Sequence, residues 1–250
     1  MFRQCLAIEC ATLFTTYRMC VTHPNMSTYT AKSFVPIAAA KFCVAQPTAH
    51  VIDRSLAEAG LRQKGKGKSR PPITRREAIV FLLACMVTQK PTHAADDVRP
   101  WISTNAELVA PEKQRSFDME EWRGESEYDE QLRLLERAKK HLSHYAKTVE
   151  RVSLVEWLLA VCALLEEGEI EAAETQLEIC QSEGTATVEI LTRASDALLQ
   201  TFYSEVHSPG TTSPVTAIRT SSIVTGLALM EIVWRTEGLS LCSVDGAGTA

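Results

Sequence analysis

No apolar run in this chain is long enough to cross a bilayer. The longest, 78–87 and 157–165, fall well short of the ~20 residues a spanning helix needs. The eight cysteines (5, 10, 20, 43, 85, 162, 180 and 242) form no C-x-x-C pair, which argues against a zinc site. Several of them, as in FLLACMV and LLAVCALLEE, sit inside apolar helical runs, the setting of buried reduced thiols in a cytoplasmic protein. No G-x-S-x-G elbow marks a Ser or Cys nucleophile, and no internal repeat is visible. The string Gly67-Lys68-Ser69 resembles the end of a phosphate loop. That pattern requires a glycine where Arg62 stands and a helix starting at the lysine, which Pro71-Pro72 block. At the N-terminus, Arg3, Glu9 and Arg18 interrupt what a secretory leader would keep apolar. Residues 1–25 read as a poorly ordered upstream extension, with the more regular text beginning at Met26.

What the chain does contain is an uneven distribution of charge. The formal net charge is -5. From Arg54 to Arg76 there are eight Lys or Arg and one acid, Glu58, whereas residues 77–250 together carry -14. One basic patch on an acidic body suggests a single surface for a polyanion, the alternative being a solvated basic linker.

Around that patch the residues order themselves into short helices. From Phe34, the apolar Val35, Ile37, Ala38, Ala39 and Phe42 suit a first helix with Pro36 in its first turn. A second is expected over Pro47–Ala59, with Gln46 near its cap, Ala49, Ile52 and Leu56 at helical spacing, and Gly60 as a left-handed stop. Arg62–Arg70 alternates lysine and glycine and reads as a mobile arm. A third helix spans about Thr74–Gln89, where Thr74 and Glu77 make a capping box. Further turns fit 94–103.

This layout matches a helix-turn-helix. Ala39 is the small residue at the helix crossing, Ala49 and Ile52 are the inward positions of the second helix, and Cys43 stands where the turn usually carries glycine. Thr48, His50, Val51 and Arg54 face outward in that reading. Thr48, His50 and Arg54 are candidates for base contacts, and Lys64, Lys66, Lys68 and Arg70 for phosphate contacts.

The text AEAGLRQKGKGKSRPPITRREAIVFLLA, within Ala38–Leu83, resembles a group of poorly characterised bacterial and prophage proteins. Those have an N-terminal helix-turn-helix ending in an EAGL-type segment, a basic Gly/Lys stretch, a proline and a Thr-capped apolar helix. The terminal IRTSSIVTGLALMEIVW and the region 176–191 are loosely similar to their C-terminal parts. The resemblance implies a DNA-binding or regulatory role, and with no catalytic signature in the chain the function expected is non-enzymatic DNA binding, such as transcriptional regulation on a mobile element.

Beyond a polar linker at 104–125, an acidic α+β region is expected over 126–238, followed by a flexible tail at 239–250. Its parts are an amphipathic helix Tyr128–Val149, a helix Leu154–Glu167 capped by Ser153 and Glu156 and stopped by Gly168, and a short helix at Ile170–Thr175. A hairpin follows around Glu183-Gly184. Ala194–Val206 suits helix or strand, Ser208–Thr216 reads as a loop, and Ser222–Glu237 is helical, with a strand over Val215–Ile218 as the alternative for its start. The fold class is thus mainly α, a helix-turn-helix unit at 26–103 joined to an acidic α+β region.

Competing chemistry is weaker. The carboxylate pairs Asp96-Asp97, Glu120-Glu121 and Glu166-Glu167-x-Glu169 read as solvated surface before they read as metal ligands, and so do His141 and His144, one helical turn apart without a third ligand. No cofactor or metal is expected. The partner expected first is double-stranded DNA, with self-association or a protein partner through the acidic region as the alternative. Leu132, Leu135 and Leu142 would be the seam of such an association, or else the inner face of their own helix.

Overall fold

The computed structural model describes residues 29–65, 71–108, 121–146, 151–191, 197–203 and 221–236. The expected extension 1–25, the loop 208–216, the alternative strand 215–218 and the tail 239–250 lie outside them, as do Lys66, Lys68 and Arg70. The described chain is α+β, with seven helices and two small antiparallel sheets.

Four helices come first: α1 (Ala31–Lys41), α2 (Gln46–Glu58), α3 (Arg75–Val87) and, after a 3-10 turn at Pro91–His93, α4 (Ala94–Ile102). α1 starts earlier than its apolar pattern predicts, because Ser33 folds back on Thr30 and its Oγ accepts the Thr30 N–H at 3.1 Å. Pro36 therefore lies inside the helix and not in its first turn. Likewise Gln46 is the first residue of α2 and the cap position falls to Ala45, which offers no side-chain acceptor. Thr74 and Glu77 do form the capping box of α3, the Glu77 N–H donating to Thr74 Oγ1 at 3.2 Å and the Thr74 N–H to Glu77 Oε2 at 2.9 Å.

The expected linker contains structure at both ends. β1 (Asn105–Glu107) pairs antiparallel with β2 (Arg151–Ser153), and α5 (Glu121–Leu142) begins well before Tyr128 and ends short of Val149. α6 (Leu154–Glu167) follows β2 directly. Ser153 caps it with Glu156, and Gly168 ends it with φ +71°, a left-handed conformation that costs glycine nothing. The short helix expected at Ile170–Thr175 is reduced to a single 3-10 turn, Ala172–Glu174.

The larger sheet has the order β5-β4-β3-β6, built from β3 (Thr175–Cys180), β4 (Thr185–Leu191), β5 (Ala197–Tyr203) and β6 (Ser221–Thr225). The hairpin is present in the register Cys180↔Thr185 to Thr175↔Ile190, turning at Gly184 with φ +65°. The ambiguous stretch after it is a strand, with Thr185↔Tyr203 and Leu191↔Ala197 at the ends of its pairing. The terminal element departs from expectation: residues 221–225 pair with β3, and helix α7 (Gly226–Thr236) starts only at Gly226. A Cβ at Gly226 would lie 2.6 Å from the Ala172 carbonyl oxygen and 2.7 Å from Thr175 Cβ, so the strand-to-helix corner admits only glycine there.

α3 and α6 are apolar on nearly every side and form the centre of the molecule. One continuous apolar core runs from Phe34 and Ile52 through Phe81 and Trp157 to Val188, Phe202 and Ile232, and so spans both sides of the 104–125 stretch. Phe81 meets Phe34 edge-on, with ring centroids 6.0 Å apart. The sheet also closes the end of α3. Ser222 Oγ donates to the Met86 carbonyl at 2.8 Å, and Gln181 Nε2 donates to the Met86 and Val87 carbonyls at 3.1 and 3.0 Å. These bonds satisfy acceptors that a helix C-terminus otherwise leaves open.

Candidate nucleic-acid interface

α1 and α2 are joined by four residues, Phe42–Ala45. Cys43 carries φ +55°, the one positive φ among the described residues other than glycine. The Phe42 N–H reaches the Ala38 carbonyl at 2.8 Å and the Val44 N–H reaches that of Ala39 at 2.9 Å. This is a helix end with a left-handed residue just past the cap, the geometry that glycine usually supplies. Cys43 thus takes a glycine's conformation while its side chain stays exposed.

Ala39 is 1% exposed, Ala49 0% and Ile52 2%, so the three positions expected at the helix–helix contact are all buried in the core. The opposite stripe of α2 faces solvent: Gln46, Pro47, His50, Val51, Arg54 and Glu58 are exposed, while Thr48 is half-buried. His50, Arg54 and Glu58 follow one another at one-turn spacing along this stripe. The structure therefore brings His50 and Arg54 onto one open surface and sets Thr48 at its margin.

After α2 the chain reverses. The Gly60 N–H donates to the Ala57 carbonyl at 3.2 Å and the Leu61 N–H to that of Leu56 at 3.0 Å, with Gly60 at φ +76°. The reversal carries Arg62 back beside α2, where its Nη2 donates to Asp53 Oδ2 at 2.9 Å. Burial raises the Asp53 carboxyl above its usual range, and the neighbouring Arg62 guanidinium opposes the shift. Next, the Gln63 N–H donates to Glu77 Oε1 at 2.6 Å, so the carboxylate that caps α3 through one oxygen holds the start of the basic segment through the other. At the far end of the segment the Ile73 N–H donates to the Tyr29 carbonyl at 2.8 Å and Pro72 bridges to Thr30.

Arg62 and Gln63, read from sequence as the start of a free arm, are therefore pinned, and Lys64 is the first exposed cation beyond them. The residues that sequence reasoning missed here are Asp53 and Glu77 as anchors. The left-handed Gly60 was the available signal, because it returns residue 62 to the level of residue 53.

Three acidic side chains at and just beyond the end of α6 reach cations and a histidine on neighbouring helices. Arg133 and Arg137 reach Glu169 at 3.2 and 2.6 Å, and His141 Nε2 lies 3.2 Å from Glu167 Oε2. Arg75, the first residue of α3, reaches Glu166 at 3.0 Å. These carboxylates, expected to be merely solvated, tie helices together. Among the described residues no three His, Cys, Asp or Glu side chains gather as a metal site, and no helix is long and apolar enough to cross a membrane. Leu135 and Leu142 are fully buried in the chain's own core, and Leu132 is half-buried. No protein-family model, curated protein or solved structure matches the chain, so its own residues carry the functional argument.

Proposed function

We propose that this protein binds double-stranded DNA through α1 and α2 acting as a helix-turn-helix, as a non-enzymatic regulator or other DNA-associated protein. The observation that carries the reading is the left-handed Cys43 between two helices that bury Ala39, Ala49 and Ile52 and leave His50 and Arg54 outward. Residues on the open face of such a second helix reach base edges in the major groove. His50 can donate or accept there, Arg54 can donate to a guanine edge or a phosphate, and Thr48 supplies a methyl or hydroxyl from the margin. Lys64, Lys66, Lys68 and Arg70 supply phosphate neutralisation from a segment whose two ends are fixed to α3 and to the start of α1.

Replacing Lys64, Lys66 and Lys68 with Ala is expected to weaken binding to all duplex sequences alike and to flatten the salt dependence. Replacing His50 is expected to change sequence preference more than total affinity. Unchanged affinity in the triple-lysine variant would remove the basic segment from the mechanism.

A second reading, a protein-interaction module with a basic linker, draws support from a different observation. Leu191, Leu199, Tyr203, Ile223 and Leu227 are all exposed, on the sheet and at the start of α7. It predicts a size in solution that rises with concentration and an affinity for DNA that is absent at low salt.

A further inference from the structure

The exposed stripe of α2 has two edges. On the edge next to His50, Asp53 faces Arg62 and the basic segment begins. On the other edge, one turn beyond Val51, Ser55 meets the corner between α3 and α4. Ser55 Oγ accepts the Ala95 N–H at 3.2 Å and donates to the Thr92 carbonyl at 3.3 Å.

We propose that this corner is a second phosphate contact, in which Lys90, Thr92 and His93 engage the DNA strand opposite the one met by the basic segment. The inference rests on the DNA-binding reading and adds a part of the surface that the reading does not use. An α-helix with its side chains is about 10–12 Å across and the major groove of B-DNA is about 12 Å wide. A helix seated in that groove therefore has a phosphate backbone along each flank, and the basic segment is rooted beside only one of them.

The corner has the properties the other flank requires. Lys90, Thr92 and His93 are all exposed. Their backbone is held in place: the His93 N–H donates to the Lys90 carbonyl at 2.8 Å, and Ala94, Ala95, Val98 and Trp101 bury the following helix in the core. Ser55 ties the backbone of the turn to α2 itself, so Lys90, Thr92 and His93 are carried beside the reading helix. Asp96 and Asp97 follow in the first turn of α4, where the helix dipole favours them.

The test is fluorescence anisotropy of the full chain on a random-sequence duplex across a salt series. It compares the natural protein with Lys90→Ala, His93→Ala and, as a control on the exposed face of α5, Lys140→Ala. The expected result is a log–log salt slope shallower by about 0.9 in Lys90→Ala, a severalfold loss of affinity in His93→Ala, and no change in Lys140→Ala. A natural protein that binds with a steep slope, with Lys90→Ala and His93→Ala indistinguishable from it, overturns this inference and leaves the DNA-binding reading intact. Absence of binding by the natural protein overturns both.

Discussion

At the scale of single residues, Cys43 is the position where the chain departs most from what its conformation favours. A non-glycine residue in the left-handed region is disfavoured by roughly 1–2 kcal/mol, part of which glycine loses again to its freedom in the unfolded chain. Cys43→Gly is therefore expected to stabilise the protein by about 1 kcal/mol, read as a higher urea midpoint; a lower midpoint would contradict the assigned turn. The described cysteines also divide sharply. Burial pushes the Cys162 and Cys85 thiols up to about 12, while Cys43 is exposed. A maleimide at pH 8 is expected to modify Cys43 in the native protein and to reach Cys85 and Cys162 only after denaturation, as mapped by mass spectrometry. Unfolded thiols ionise near 8.5, so above that pH the unfolded state loses protons that the folded state keeps. These two thiols thus leave stability unaffected below about pH 8.5 and lower it as pH rises toward 12, a decline that Cys162→Ala should lessen. The conformation of Cys43 was not legible as such in the sequence: a cysteine does not announce a positive φ, and only the spacing from Ala39 marked the place.

Elements with local signals were legible, and those defined by distant pairing were not. The capping boxes at Thr74 and Ser153, the glycine stops at 60 and 168, and the Gly184 hairpin each depend on residues within a few positions of one another. By contrast, β6 is a strand because β3, some forty positions earlier in the chain, pairs with it from Cys180↔Ser221 to Gln176↔Thr225. Its sequence, SSIVT, runs into a helical pattern without a break, so periodicity alone extended the helix backward. The switch is made at Gly226, whose α-hydrogen faces the Ala172 carbonyl. Gly226→Ala is expected to destabilise by about 1–3 kcal/mol through overpacking, whereas an alanine at Gly168, where no atom lies within 4 Å of the added Cβ, should cost only the strain of its positive φ. An unchanged urea midpoint in Gly226→Ala would contradict the close packing at the β6–α7 corner. In the candidate interface the same contrast holds. Ala49 and Ile52 were legible from helical spacing, but Asp53–Arg62, Gln63–Glu77 and Ser55–Thr92 join separate elements and have no periodic signature.

At the scale of the whole molecule, the α1–α4 helices and the sheet share one apolar core through α3, α6 and α7, across a stretch whose polar sequence reads as a linker. The helices that would read DNA are thereby coupled to the sheet that caps α3. A shared core predicts a single cooperative unfolding transition, with near-ultraviolet and far-ultraviolet signals coincident in urea; two separated transitions would mean that the halves fold independently. The uneven charge also gains a structural meaning at this scale. Part of the acidity is paired with Arg133 and Arg137 within the acidic half and with Arg75 at the start of α3, while the cations from Lys64 to Arg70 follow a pinned root and precede a pinned end. The proposed DNA-binding role requires the cations from Lys64 to Arg70 and the open stripe of α2 to act on the same duplex. The measurement that tests it most directly is the affinity of the full chain for a random-sequence duplex, by fluorescence anisotropy from low to physiological salt. Binding at low salt is expected to weaken steeply and log-linearly as salt rises; no binding at low salt, or binding indifferent to salt, would rule out a phosphate-facing basic segment.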